Sequence, residues 1–453
     1  MTDLSHEVRP KPSAFGRFTG ALDKFIQNYL PEPLVIVILL TFLVFAAGLL
    51  SDGGTPAQMI GYFGDGFWGL LTFAMQMALV LVTGFILAST PLFSRLLGAL
   101  ARRAKTPGRA IIMVTLVALL ASWVNWGFGL VIGAFFAKCL AREVPDVDYR
   151  VLIASGYSGF LIWHAGLSGS VPLTAATPGN FLEGEIGLIP AAETIFAPFN
   201  LILIGVMVIL LPILNRLMLN HGGSTTYARD IAFLEDVEPA RSAPPKTSAE
   251  KLEHSPWLGW GIGLFGLAFI VWQVLAGQFA LTLDSVNFIF LFLGLALHGS
   301  ARAFLTALEE AVKGVGGILI QFPFYAGIMG MMVGSGLAAG LTELFVSNAN
   351  ATVLPVLAFL SAGFVNVLVP SGGGQWAVQG PIVMPAAEAL GADPARVLMA
   401  VAWGDAWTNM IQPFWALPAL AIAGLSARDI MGFCVVTLIV SGGVLMLGLT
   451  FLP

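Results

Sequence analysis

Charge is scarce in this chain. Lys and Arg number 21 and Asp and Glu 26 among 453 residues, so charged residues make up 10% against 57% hydrophobic. A soluble protein carries roughly 25% charged residues. That deficit, with a mean hydropathy of +0.87, excludes a chain whose surface is mostly wetted. Cysteine is scarcer still. Cys139 and Cys434 are the only two, far apart in apolar stretches with no CxxC or Cys/His cluster, so disulfides and zinc sites are unsupported. The net charge of −5 is spread over loops, and no basic stripe points to nucleic acid. The first apolar run is not followed by a small-residue cleavage pattern, which predicts an uncleaved first helix rather than a signal peptide.

What is abundant is apolar length. Stretches 33–50, 66–88, 197–215, 257–276, 285–299, 316–338 and 430–452 are almost free of charge, and most approach the ~20 residues that a spanning helix needs. The expected fold is an all-α polytopic membrane protein. Basic residues cluster at Arg9 to Lys24, Arg95 to Arg109, Lys138 to Arg150, Arg216 to Lys251, Arg302 and Lys313, and Arg428, with none between Arg150 and Arg216, Lys251 and Arg302, or Lys313 and Arg396. Because cytoplasmic loops retain Lys and Arg, a multi-pass protein of the cell (inner) membrane is expected, N-terminus cytoplasmic and C-terminus periplasmic.

This orientation leaves the apolar run 110–137 bounded on both sides by cytoplasmic charge. A single crossing cannot begin and end on one side, so a re-entrant hairpin is expected at about 110–140, turning near SWVNWGFG (122–129). The stretch 352–392 poses the same problem on the other face. Its turn falls at LVPSGGGQWAVQGP (368–381), and such irregular backbone at membrane depth is tolerated only inside protein or beside a water-filled cavity. Arg-Val-Leu recurs at 150–152 and 396–398, Gln76 pairs with Gln321, Gly84 with Gly330, and Ser89 with Ser335, in one order and at nearly one offset. Two inverted-topology repeats follow, 25–218 and 280–453. A cytoplasmic segment 1–24 precedes them, a polar linker 219–256 separates them, and an extra transmembrane helix 257–276 permits the inversion.

Each half also contains a discontinuous helix. Gly166, Ser168, Gly169, Ser170 and Pro172 interrupt the one at about 148–180; Asp405, Thr408, Asn409, Gln412 and Pro413 make the one at about 394–424 polar and kinked. Broken helices at corresponding positions of inverted halves point to a transporter's midplane site. Half-helix N-termini offer N–H groups to an anion, and freed carbonyls can hold a cation. No Lys or Arg falls at mid-depth, so backbone amides, hydroxyls and side-chain amides would have to hold an anion. Ser168, Ser170, Gln375, Asn409 and Gln412 are candidates for that role. Asp405 is the one acid inside an intramembrane segment, and with Thr408 it is the candidate for cation or proton coupling. Seven of the eleven tryptophans lie in the four interrupted segments. Trp126 and Trp376, beside the glycine turns, are expected to pack an aliphatic tail at roughly 0.8 kcal/mol per buried CH₂. Gln76 and Gln321 fit interhelical hydrogen bonding as well as substrate contact, and His164 fits polar packing as well as function.

GDGFW (64–68), FAMQMAL (73–79), VNWGFGLVIGAFFA (124–137), AATPGN (175–180), QFPFYAGI (321–328), VPSGGGQW with QGP (369–381) and QPFWALPALAIAGL (412–425) together resemble the AtoE-type short-chain fatty acid transporter family, from about residue 15 to the C-terminus. The resemblance implies uptake of small monocarboxylates such as acetoacetate, butyrate or acetate. It also implies the wider ion-transporter superfamily: homodimers, often elevator-like, whose hairpin tips bind substrate carboxylate and coupling sodium. Carried over by position, those roles fall on Ser122, Asn125, Gly127 and Gly129 at the first tip and on Asn366, Ser371, Gly372, Gly373 and Gly374 at the second, with Na+ near Asn125 and Asn366. The superfamily's Ser-Asn-Thr tip is not present as such. The function expected is therefore cation-coupled symport, with Na+ or H+ as the coupling ion and no other cofactor. A passive facilitator or channel is the alternative. More remote is an intramembrane serine protease, since Gly166-Leu167-Ser168-Gly169 resembles that class, with His298 as the other membrane histidine.

Overall fold

The computed structural model describes residues 33–50, 54–219, 225–231, 246–368 and 371–452. The segment 1–24, much of the linker 219–256 and the turn residues Val369 and Pro370 lie outside the described residues. Among the described residues the chain is helical apart from one isolated bridge between Asp148 and Tyr227. Seven helices are long and apolar enough to cross a membrane.

Prolines and small polar residues decide where these helices begin. Pro107 opens the first arm of a helical hairpin, Pro107–Val124, behind the cap Thr106. A single residue then separates it from the second arm, Trp126–Glu143. Asn125 takes extended backbone (φ −157°, ψ 130°) and its side-chain oxygen accepts the Phe128 N–H at 2.9 Å, so one residue ends the first arm and caps the next. A second hairpin has arms Leu354–Leu368 and Gly372–Leu390, the return arm capped by Ser371 Oγ on the Gly374 N–H.

Both discontinuous helices are interrupted near their middles. The first runs Tyr149–Ser158, tightens over Gly159–Ala165, stops at Gly166 in extended backbone and resumes as Ser170–Ala176. The second runs Pro394–Thr408, tightens over Asn409–Ile411, extends at Gln412 and resumes behind Pro413 as Pro413–Ala423. They lie antiparallel. Tyr149 OH meets the Ala423 carbonyl at 2.8 Å, Tyr157 OH meets that of Asn409 at 2.6 Å, and His164 meets Asp405 at 3.0 Å.

The element order recurs along the chain. Pro33–Leu49, Pro56–Gly66, Leu71–Ala88 and Pro91–Ala101 precede the first hairpin and first broken helix, and Pro198–Met218 follows them. Leu283–His298, Ala301–Ala311, Gly316–Gly334 and Leu337–Asn348 precede the second pair, and Ala427–Phe451 follows. Of the seven spans, Tyr149–Ala176 is the least apolar and the most buried, with 94% of an 18-residue stretch buried against 17% for Ser248–Leu275. The polar break it carries is thus wrapped in protein.

The first broken helix lies in the groove of the first hairpin through a close approach at Gly159. A Cβ there would stand 2.5 Å from Ala118 Cβ and 2.6 Å from the Ala118 carbonyl carbon. Gly159→Ala is therefore expected to cost about 1–3 kcal/mol through overpacking. Gly205→Ala, at an exposed helical position with nothing within 4 Å, should gain roughly 0.5–1 kcal/mol. Thermal unfolding of the purified protein in detergent should shift in opposite directions for the two; equal shifts would contradict the packing at Gly159.

Candidate functional site

Four elements meet where the two broken helices cross. His164 Nδ1 lies 3.0 Å from Asp405 Oδ2, and His164 Nε2 receives the Val171 N–H at 3.1 Å with Ser170 Oγ at 3.2 Å. Trp163 Nε1 donates to Asn409 Oδ1 at 2.9 Å. From the second hairpin, Asn366 Nδ2 donates to the Asp405 carbonyl (2.8 Å) and Thr408 Oγ1 (2.9 Å), while Gln412 Nε2 donates to the Asn366 carbonyl. Asp405, His164, Asn366 and Asn409 are all buried.

Both hairpin tips converge on the break of the first broken helix. The first is hydrogen-bonded to it: the Trp126 N–H donates to Ser168 Oγ at 2.9 Å and the Leu167 N–H to the Trp123 carbonyl at 2.7 Å. Asn125 Nδ2 reaches the Val80 carbonyl at 3.4 Å. The second tip arrives through Gly372. A Cβ there would lie 2.6 Å from His164 Cε1 and 2.9 Å from Ser170 Oγ and the Trp163 ring, so only glycine lets this backbone reach the break. Gly373 faces Phe73 and Phe322, and Gly374 faces Tyr325.

Among the described residues, several buried polar atoms of this region find no hydrogen-bond partner, and they separate by type. Asp405 Oδ1, Asn366 Oδ1, Gln375 Oε1 and Gln412 Oε1 are acceptors; Asn409 Nδ2, Trp376 Nε1 and Trp123 Nε1 are donors, and Ser122 Oγ can serve as either. The amide orientations follow from their neighbours. Trp163 can only donate, which turns Asn409 Oδ1 toward it and leaves the amide N–H groups. Asn366, Gln375 and Gln412 spend their N–H groups on backbone carbonyls, which leaves their oxygens. Unpaired buried polar groups cost about 1–3 kcal/mol each, and those of Asp405, Asn366, Asn409 and Gln412 belong to the hydrogen-bonded junction itself, which makes it the candidate ligand site. Beside them, Trp126, Phe160, Trp163 and Trp415 form an aromatic cluster with ring centroids 5.5–6.1 Å apart.

A family model for short-chain fatty acid transporters matches residues 14–452. The chain belongs to the short-chain fatty acid transporter family. A relative from Escherichia coli (strain K12), named for short-chain fatty acid transport, is 45% identical over 96% of this chain and 99% of its own. One of the same name from Haemophilus influenzae is 43% identical over the same shares. The fold resembles the Alcanivorax borkumensis YdaH transporter (TM-score 0.57, 18% identity, 93% of this chain and 97% of that one) and Neisseria gonorrhoeae MtrF (TM-score 0.51, 15% identity, 96% of each). The family and the apolar spans identify a multi-pass membrane transporter, not an enzyme, and these neighbours share its fold.

Ser170, His164 and Asp405 nonetheless stand in the order of nucleophile, base and orienting acid. The Val171 N–H occupies the Nε2 lone pair that would take the serine's proton, and Gly372 covers the ring. Ser168 and His298 do not meet either: Ser168 caps Trp126, and His298 bonds the Ile86 carbonyl at 2.9 Å. Ser122, Gly127 and Gly129 lie within the first hairpin's tip and arms, where a Cβ on Gly129 would meet Ser122 Oγ at 2.3 Å. Gln76 stands outside the junction, donating to Asp284 at 2.8 Å, and Gln321 accepts from Tyr325 OH at 3.4 Å. Sequence reasoning missed Tyr157, whose hydroxyl holds the Asn409 carbonyl, and Asn200, which accepts from Trp403 Nε1 at 2.9 Å. Polar groups within apolar spans were the available signal.

A cleft of about 840 Å³ opens to one side, with Glu185, Glu343 and Glu388 on its wall. Burial pushes the Glu185 carboxyl above the usual carboxylate range. The cleft reaches Pro381 of the return arm but not the junction, whose polar residues are closed off.

Trp163→Phe keeps the ring but removes the donor that orients Asn409. The loss of about 1–3 kcal/mol should weaken butyrate binding roughly tenfold, measured by ligand-induced thermal stabilisation. Unchanged binding would remove Asn409 from the site.

Proposed function

We propose that this protein carries short-chain monocarboxylates across the cell (inner) membrane together with a cation, by alternating access. The observation that carries the reading is the sorting of unpaired buried groups at the junction. Four oxygens, one of them on Asp405, suit a cation, and the N–H groups of Asn409, Trp376 and Trp123 suit a carboxylate. A cation bound together with the carboxylate offsets its charge, so loading the pair leaves the net charge of the closed junction unchanged, which lowers the cost of moving the substrate through a membrane. The aromatic cluster suits a short aliphatic tail.

Recurring element order and the antiparallel broken helices support inverted halves at 25–218 and 280–453, with the hairpins re-entrant and Ser248–Leu275 as the intervening span. Inverted halves can exchange conformations to open alternately to either face. The clustering of Lys and Arg supports a cytoplasmic N-terminus and a periplasmic C-terminus. The superfamily resemblance supports a homodimer and an elevator-like motion. A passive facilitator would need no unpaired carboxylate oxygen at the site, and so Asp405 favours coupling.

Uptake of labelled butyrate into proteoliposomes under separately imposed sodium and proton gradients tests this. One gradient should drive accumulation, and Asp405→Asn should abolish the accumulation. Equilibration without accumulation under either gradient would leave a facilitator.

A further inference from the structure

His164 touches both broken helices and the second hairpin. Its ring stacks on Trp163 with centroids 4.0 Å apart and planes 8° from parallel. Its edge is covered by Gly372 of the second hairpin, and its two nitrogens face opposite halves of the chain. We propose that His164 is a positioning residue that holds Asp405 for the coupled cation. The proposal deepens the function above and rests on it.

The argument begins at Nε2. A peptide N–H can only donate, so the Val171 N–H at 3.1 Å requires a lone pair on His164 Nε2. The ring's single proton then sits on Nδ1. From there it donates to Asp405 Oδ2 at 3.0 Å, and Oδ1 stays without a partner among the described residues. Turning the ring over would put carbon against both Val171 and Asp405 and lose both bonds. Trp163 on its face and Gly372 at Cε1 leave no room for another placement.

This explains why a neutral imidazole stands here and not a cationic side chain. A buried carboxylate needs a donor to fix its direction, but Lys or Arg would neutralise it and compete with a transported cation. Lys and Arg enter the two hairpins and broken helices only near their ends, at Arg109, Lys138, Arg142, Arg150 and Arg396. The neutral Nδ1–H tautomer supplies direction without charge. Asp405 is thereby held at one oxygen, with the other left open to the ion.

Two amide substitutions separate positioning from packing. Asparagine places an amide N–H where Nδ1 was; glutamine reaches the Nε2 position and leaves Asp405 without its donor. Ion-driven butyrate uptake is measured in proteoliposomes as a function of the coupling ion, with thermal unfolding of each purified variant alongside. His164→Gln should raise the ion concentration for half-maximal uptake roughly tenfold or more, the worth of a hydrogen bond to a charged group, while retaining most of the maximal rate. His164→Asn should restore the ion dependence to within about threefold of wild type. An unchanged half-maximal ion concentration in His164→Gln would overturn the proposal. So would parallel losses of rate and thermal stability in both variants with the ion dependence intact. Wild-type uptake that ignores the ion altogether would instead overturn the coupled reading on which the proposal rests.

Discussion

At the depth where the two broken helices cross, neither water nor lipid can satisfy a polar group, and the surrounding architecture follows from that constraint. Neighbouring elements bond the backbone at each break. The Leu167 N–H donates to the Trp123 carbonyl, and the Asp405 and Asn409 carbonyls, which also accept N–H groups of their own helix end, take second donors from Asn366 and Tyr157. Supplying these partners requires hairpin tips at the level of the breaks, and both hairpins turn there. It also requires the breaks to be wrapped. The least apolar of the seven spans is the most buried.

Glycine makes the convergence possible. The second hairpin meets the first break by backbone, since a Cβ on Gly372 would strike His164, Ser170 and Trp163. The first broken helix sinks into its own hairpin because Gly159 presents no Cβ to Ala118. Glycine is a poor helix former, and its presence in these spans is explained by proximity, not by local preference.

Much of this was legible in the residues. Apolar lengths announced the spans, and Asn125 with its flanking glycines announced a turn where a continuous helix could not satisfy the charge pattern. The polar run Asp405 to Gln412 announced the second break. What remained hidden depended on pairing across about 240 positions of sequence. Nothing near His164 indicates that Asp405 faces it, and nothing near Asn409 indicates Tyr157 and Trp163. An amide or imidazole in an apolar span reads equally as packing or as site until its partner is known. Gln76 and Asn409 illustrate the two outcomes. The first spends its side chain on Asp284 at a helix interface, and the second keeps N–H groups unspent in the junction.

The distribution of hydrogen bonds also separates what is joined firmly from what merely touches. Each hairpin is hydrogen-bonded to the broken helix of its own half: Trp126 to Ser168 in the first, Asn366 to Asp405 and Thr408 in the second. Between halves, the two broken helices are bonded to each other at Tyr149, Tyr157, Trp163 and His164, and further bonds lie away from the crossing, at Gln76–Asp284, Trp403–Asn200 and His298–Ile86. Among the described residues, the second tip meets the first break by van der Waals contact, through Gly372 against His164 and Trp163. Withdrawing the second hairpin breaks the Asn366 bonds to the Asp405 carbonyl and Thr408 and the Gln412 bond to the Asn366 carbonyl, and parting the two broken helices breaks those of Tyr149, Tyr157, Trp163 and His164. The junction is therefore held from both sides, by its own hairpin and by the opposite broken helix.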